Sequence, residues 1–182
     1  MSSFSRRALA ALALVAVMGG CAGTVPTSRT SAPVGPVVGN AAPEIAGKDL
    51  DGKPLSLQEF RGKVVMLSFW AGWCKPCLHL IPHEQEVQKR FEGKPFVLLG
   101  VNKDDTIEKA RQAQEHYGVT WRSFWDGDNA IIAAYEVDAY PYVFLIDHKG
   151  VIRYVARGVS PSVEREIDKT LEALVKDAEA GS

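Results

Sequence analysis

Residues 64–70 read Val-Val-Met-Leu-Ser-Phe-Trp, an uncharged and almost wholly apolar run, and a Cys-Lys-Pro-Cys stretch begins four positions later. A half-solvated strand would alternate apolar and polar residues; a run without alternation is the pattern of a strand buried on both faces. Such a strand needs cover on either side, and the flanking sequence supplies it. A helix is expected from Lys75 to about Phe91, with Pro82 inside it, where the missing backbone donor should kink it. Residues 95–101 form a second buried strand. Asp105, with Glu108 three residues on, is expected to cap a helix reaching about Tyr117, and Gly118 suits its end. Residues 120–125 read as a short strand and Asp128 as the cap of a brief helix over 129–135. Residues 142–147, the turn His148-Lys149-Gly150 and residues 151–156 read as an antiparallel hairpin. Ser160 followed by Pro161 starts a last helix, to about Asp177. The succession predicts an α/β domain over residues 41–178, a mixed central sheet with helices on both faces.

Before residue 41 the texture differs. Arg6 and Arg7 precede an apolar run of 11 residues, 8–18, and then Gly19, Gly20 and Cys21. That layout marks residues 1–20 as a secretory signal peptide, too short for a membrane span. Its end, Val-Met-Gly-Gly-Cys, resembles the bacterial lipobox, which implies that Cys21 is lipidated and becomes the first mature residue. Residues 21–40, rich in Ser, Thr, Pro and Gly after that cysteine, are expected to form a flexible tether. Loss of residues 1–20 removes Arg6 and Arg7 and no acid, leaving 19 basic against 22 acidic residues. With no basic stripe, nucleic acid is not an expected partner.

Cys21, Cys74 and Cys77 are the three cysteines of the chain. A zinc centre wants four ligands, and the neighbours on offer are His79 and His83. Cys77 and His79 lie about 200° apart on one helix, so no metal site is expected. A structural staple is the plainer alternative. It would close a loop of two residues for little entropic gain, and about 140 residues can build a core without one. A redox pair fits better. The signal peptide directs the chain to a compartment where disulfides persist. Cys74, at the strand-to-helix junction, faces the unpaired amides of the helix N-terminus, which favour a nucleophilic thiolate. Lys75 adds positive charge beside it, and Lys75 and Pro76 are the tuning positions between the cysteines. Cys77, one turn on, is placed to attack the mixed disulfide.

The Trp-Cys-Lys-Pro-Cys motif on that junction resembles the thioredoxin superfamily. Wider features narrow the resemblance to the TlpA/ResA-type extracytoplasmic thiol-disulfide oxidoreductases. They are Ala-Pro-Glu-Ile at 42–45, Asp-Gly-Lys-Pro-Leu-Ser-Leu at 51–57, Phe60-Arg61-Gly62-Lys63, Pro82, and Tyr140-Pro141 followed by Phe144-Leu145-Ile146-Asp147. The resemblance implies a thioredoxin-like fold with an N-terminal extension and a βα insertion before the strand that Pro141 opens. It implies a cis peptide at Pro141, Tyr140 backbone groups that bind an extended cysteine peptide, and Trp73 on the rim. Trp121 and Trp125 read as packing residues. The implied activity is membrane-tethered reduction of disulfides in secreted proteins, cytochrome c maturation among the settings. No cofactor is expected beyond a redox-active Cys74–Cys77 disulfide. The expected partners are a cysteine-containing extracytoplasmic protein, a membrane thiol protein as electron donor, and the membrane itself through the lipid; the chain is expected to be a monomer in the periplasm or at the cell surface.

Two departures stand out against that resemblance. Many ResA-type proteins carry a glutamate three residues after the second cysteine, where this chain has Leu80. The buried aspartate of thioredoxins, six residues before the first cysteine, is replaced by Ser68. Cys77 therefore lacks an obvious proton acceptor: His79 could turn towards it, the acid could come from elsewhere, or water could serve. An oxidase or isomerase would use the same residues, and a copper-binding module on this fold is the non-enzymatic alternative.

Overall fold

The computed structural model describes residues 32–181; the expected signal peptide, Cys21 and most of the expected tether lie outside the described residues. Strands β1 (Ala46–Lys48) and β2 (Pro54–Ser56) form a small antiparallel hairpin. Its turn is organised by Asp49, whose Oδ1 accepts from the backbone N–H of Asp51 and Lys53. The main chain of elements follows: β3 (Val64–Trp70), α1 (Lys75–Arg90), β4 (Phe96–Asn102), α2 (Ile107–His116), β5 (Ser123–Trp125), α3 (Ala130–Ala134), β6 (Tyr142–Ile146), β7 (Ile152–Arg157) and α4 (Pro161–Ala180).

The five-stranded sheet runs β5-β4-β3-β6-β7. The buried run at 64–70 is its centre, parallel to β4 and antiparallel to β6, with all seven residues buried. Strand pleating sends alternate side chains to opposite faces. Val64, Met66 and Trp70 join Leu80, Ile81, Val87, Ile167 and Leu171 under α1 and α4. Val65, Leu67 and Phe69 face Ile45, Leu57, Tyr135 and Phe144 under α3 and the N-terminal segment. The sheet is thus covered on both faces. The β5–α3 excursion lies between α2 and β6, where the extra βα unit was expected.

Local chemistry explains most element ends. Ser160 Oγ accepts from Val163 N–H at 3.3 Å and Pro161 takes the first helical turn, so α4 starts as expected; its stripe Ile167, Leu171, Val175 and Ala178 is buried. Asp168 of α4 meets His83 Nε2 and Arg90 of α1 at 3.0 Å each, clamping the two helices. Helix α1 runs unbroken through Pro82, whose ring lies on the exposed side.

Three expectations need correction. The cap of α2 is Thr106, in extended backbone with Oγ1 accepting from Lys109 N–H, whereas Asp105 is engaged by the Lys109 ammonium at 2.7 Å. Asp128 reaches Ala130 N–H, but the start of α3 is held chiefly by Asp126, whose two oxygens accept from Ile131 and Ile132. The last part of the expected tether is ordered against β7. Gly39 N–H donates to Ile152 O, Ile152 N–H to Asn40 O, and Ala42 N–H to Gly150 O, all at 2.9 Å. Val34, Val37 and Val38 nevertheless remain exposed.

Candidate active site

β3 delivers the chain to the site and α1 receives it. Between them, residues 71–73 are held against the loop after β4: Gly72 N–H donates to both Asp104 carboxylate oxygens, at 3.2 and 3.0 Å. Position 72 accepts nothing larger than glycine, because a Cβ there would stand 2.7 Å from that of Ala113. Asp104 is fixed in turn by Asn102 Nδ2 at 2.8 Å, and its own N–H donates to Asn102 Oδ1 at 2.9 Å. Its carbonyl accepts from Trp125 Nε1. Sequence reasoning missed this brace; the Asn-x-Asp spacing at a strand end was the available signal.

Cys74 is the N-cap of α1, and its Sγ takes the place of the usual serine or aspartate oxygen, accepting from Cys77 N–H at 3.2 Å. Its backbone is anchored on both sides, by Cys74 N–H to Ala71 O and Leu78 N–H to Cys74 O. Cys74 and Cys77 form a disulfide with Cα atoms 5.3 Å apart, and both residues are buried, at 4% and 2% exposure. Lys75 and Pro76 between them face solvent in the first turn. No acidic side chain stands in that turn, so the N-terminal amides are left to the sulfur.

Trp73 is the most exposed aromatic residue of this region, at 57%. Its ring meets that of Tyr140 edge-on, centroids 5.6 Å apart, and Tyr140 packs on the cluster that contains both cysteines. The Tyr140–Pro141 peptide is cis, and Pro141 O accepts from Gly158 N–H. Burial, with a contribution from the Asp126 charge, pushes the Tyr140 phenol up to about 12, so at neutral pH it carries its proton. An open groove of about 760 Å³ runs from Gly72 and Trp73 past Asp104, Lys109, Ala113 and His116. A cavity of similar size, about 740 Å³ around Phe91 and Phe96, lies at the far end of α1 from the dithiol.

His79 is exposed and His83 is engaged by Asp168, so neither histidine turns to the sulfurs. Among the described residues no three His, Cys, Asp or Glu side chains converge as a metal site would require. Leu80 and Ser68 are both buried on the dithiol side of the sheet. The carboxyl that does enter this layer belongs to Glu84, 1% exposed, which sequence reasoning did not single out. Burial pushes it up to about 7; Ser68 stands close enough to offset this in part without reaching hydrogen-bond geometry. The signal was legible in the helix pattern. Cys77, Leu80, Ile81, Glu84 and Val87 make one inward stripe, and glutamate is the anomaly in it.

Residues 38–155 match the AhpC/TSA family. The thiol-disulfide oxidoreductase ResA of Geobacillus thermodenitrificans is 31% identical over 137 residues, covering 75% of this chain and 78% of ResA. The thioredoxin-like protein YneN of Bacillus subtilis is 32% identical over 161 residues, covering 87% of this chain and 94% of its own length. Among solved structures, the thioredoxin domain of a thiol-disulfide oxidoreductase from Bacteroides vulgatus superimposes with a TM-score of 0.66 at 27% identity, covering 74% of this chain and 98% of that domain.

Proposed function

This chain belongs to the AhpC/TSA family and is a thioredoxin-like thiol-disulfide oxidoreductase, and we propose that it reduces disulfides of secreted proteins from a membrane-tethered position outside the cytoplasm. The observation that carries the reading is the buried Cys74–Cys77 pair at the head of α1, with Cys74 as its cap and the exposed Trp73 beside it. In the reduced protein Cys74 is the nucleophile. The amides of the first turn, which carry no competing acid, stabilise its thiolate. Attack on a substrate disulfide forms a bond from Cys74 Sγ to one substrate sulfur and expels the other as a thiolate. Cys77 then attacks Cys74 Sγ, the Cys74–Cys77 bond closes, and the second substrate sulfur leaves. Two electrons pass to the substrate, and a membrane thiol protein restores the dithiol.

The substrate segment is an extended, cysteine-containing peptide, lying across Trp73 and the Tyr140–Pro141 corner. Trp73 and Tyr140 offer apolar surface at the rim and the groove beside Trp73 gives the peptide a path. The anchor is lipidated Cys21, in the part of the chain that precedes the described residues. No described helix is long and apolar enough to cross a membrane.

An insulin-reduction assay with the Cys74–Cys77 reduction potential tests the reading. A reductase shows thiol-dependent insulin precipitation and a potential near thioredoxin's, about −270 mV. A potential nearer about −120 mV, with oxidation of reduced substrates, would assign the oxidase role instead. Stoichiometric copper binding without exchange activity would overturn both.

A further inference from the structure

Asp49, Asp104, Asp126 and Asp147 are buried carboxylates whose oxygens are occupied by donors. Asp49 holds Arg122 Nε and two backbone N–H groups, Asp104 holds Gly72 and Asn102, Asp126 holds Ile131 and Ile132, and Asp147 holds Lys149, Val151 and Arg153. Glu84 is as buried as any of them, yet among the described residues its Oε1 has no hydrogen-bond partner, and neither has the Ser68 hydroxyl. A carboxyl buried without donors costs several kcal/mol in its charged form. Such a group calls for an explanation, and its position supplies one.

Glu84 lies seven positions after Cys77, two turns along α1, so both lie on the same inward face. Side chains on a helix lean towards its N-terminus, which turns the Glu84 carboxyl towards Cys77 over part of the roughly 10 Å of helix rise and leaves the remainder for Ser68 to bridge. Ser68 points into the same layer from β3, on the face shared by Met66 and Trp70, two residues before the strand turns out towards Cys74. Around them, α4 contributes Ile167 and Leu171 and β6 contributes Val143 and Leu145, all apolar. The charged groups of the α1–α4 seam, His83, Arg90 and Asp168, are tied to one another. Among the described residues, burial and the Ser68 hydroxyl are the influences that act on Glu84.

We propose that Glu84, relayed by the Ser68 hydroxyl, takes the proton from the Cys77 thiol as that thiol attacks the mixed disulfide on Cys74, and returns it when the Cys74–Cys77 bond is reduced. The proposal rests on the exchange reading above. In the forward step Cys77 S–H passes its proton to Ser68 Oγ as the Ser68 proton passes to Glu84. The Cys77 thiolate then bonds to Cys74 Sγ, and the substrate sulfur leaves with the electron pair of the broken bond. Glu84 ends neutral and afterwards loses its proton to solvent. The acid missing at positions 80 and 68 has its counterpart two turns along the helix.

The test uses the full-length reduced protein with 5,5′-dithiobis(2-nitrobenzoate), which releases one coloured thiolate when Cys74 is modified and a second when Cys77 resolves the adduct. In the wild type the second release follows a neutral-pH inflection. In Glu84→Gln the first release is unchanged, the second slows more than about tenfold at pH 7, and the inflection disappears. A Glu84→Gln protein with the wild-type second phase and pH profile would overturn the proposal. A wild type with no second release would instead overturn the exchange reading. Carbon-13 NMR of the glutamate carboxyls in the unmutated protein decides the matter even if the variant does not fold. The Glu84 midpoint should differ between the oxidised and reduced forms, and an identical midpoint in both would overturn the relay.

Discussion

The two faces of the central sheet are built to different rules. On the α3 face, the Phe144 ring meets Phe69 and Tyr135 edge-on and those two meet at a tilt, all with centroids 4.9–5.7 Å apart, and the Tyr135 hydroxyl donates to Pro43 O at 2.7 Å. That face is apolar and satisfied. On the α1–α4 face, the buried polar atoms Ser68 Oγ, Trp70 Nε1, Glu84 Oε1, Trp121 Nε1 and Ser123 Oγ have no partner among the described residues. Gly100, between Ser68 and Ser123 in the sheet, leaves their row open, since a Cβ there would run into Ser123 Oγ and Trp70 Nε1. The dithiol lies on this second face. The contrast separates a layer that holds the fold from one that tolerates unpaired polar groups beside its chemistry.

The largest effect that tests this contrast comes from the satisfied face. Phe144→Ala should cost about 3–5 kcal/mol by chemical denaturation while leaving the pH profile of exchange unchanged. A shifted profile would show that the two faces are coupled. Glu84 should act in the opposite sense. The unfolded chain releases the Glu84 proton near pH 4.5, whereas the folded protein holds it up to about 7. Between those values the folded state binds more protons, so stability should fall as pH rises through that window and level off above it, by about 3 kcal/mol in all. Glu84→Leu should remove this slope and stabilise the protein at pH 8 while slowing exchange. A melt series showing the same slope in the variant would contradict it.

Smaller effects sharpen the picture at the site. Leu80→Glu should change the rate by less than about twofold in the wild type, where an acid is already present, and recover most of the loss in Glu84→Gln. Lys75→Glu should raise the Cys74 thiol pKa by about one pH unit or less, since Lys75 is exposed and screened. Ultraviolet titration of the thiolate measures the shift.

Much of this was legible in the chain. The run at 64–70, the helix begun by Lys75-Pro76, the hairpin around Gly150 and the Ser160-Pro161 start are signals carried by neighbouring residues, and each formed where expected. What escaped depends on competition or distance. Asp105 and Thr106 both offer an oxygen to α2, and the Lys109 ammonium, by engaging Asp105, leaves the cap to Thr106. Asp126 reaches five and six residues forward, beyond the span of a local cap pattern. Segment 33–42 looks like linker by composition and becomes ordered only through β7 and its turn, more than a hundred residues away. Glu84 was visible as a break in an apolar stripe, but its meaning needed the strand packed against it.

In the proposed exchange Cys74 attacks and Cys77 resolves, and trapping the mixed disulfide separates the two roles. Reduced Cys77→Ser protein, incubated with a disulfide-containing secreted protein and quenched with acid, should accumulate a covalent adduct that mass spectrometry maps to Cys74. The adduct should be absent from Cys74→Ser. Equal adduct on Cys77 in the Cys74→Ser protein, or none in either, would contradict the account.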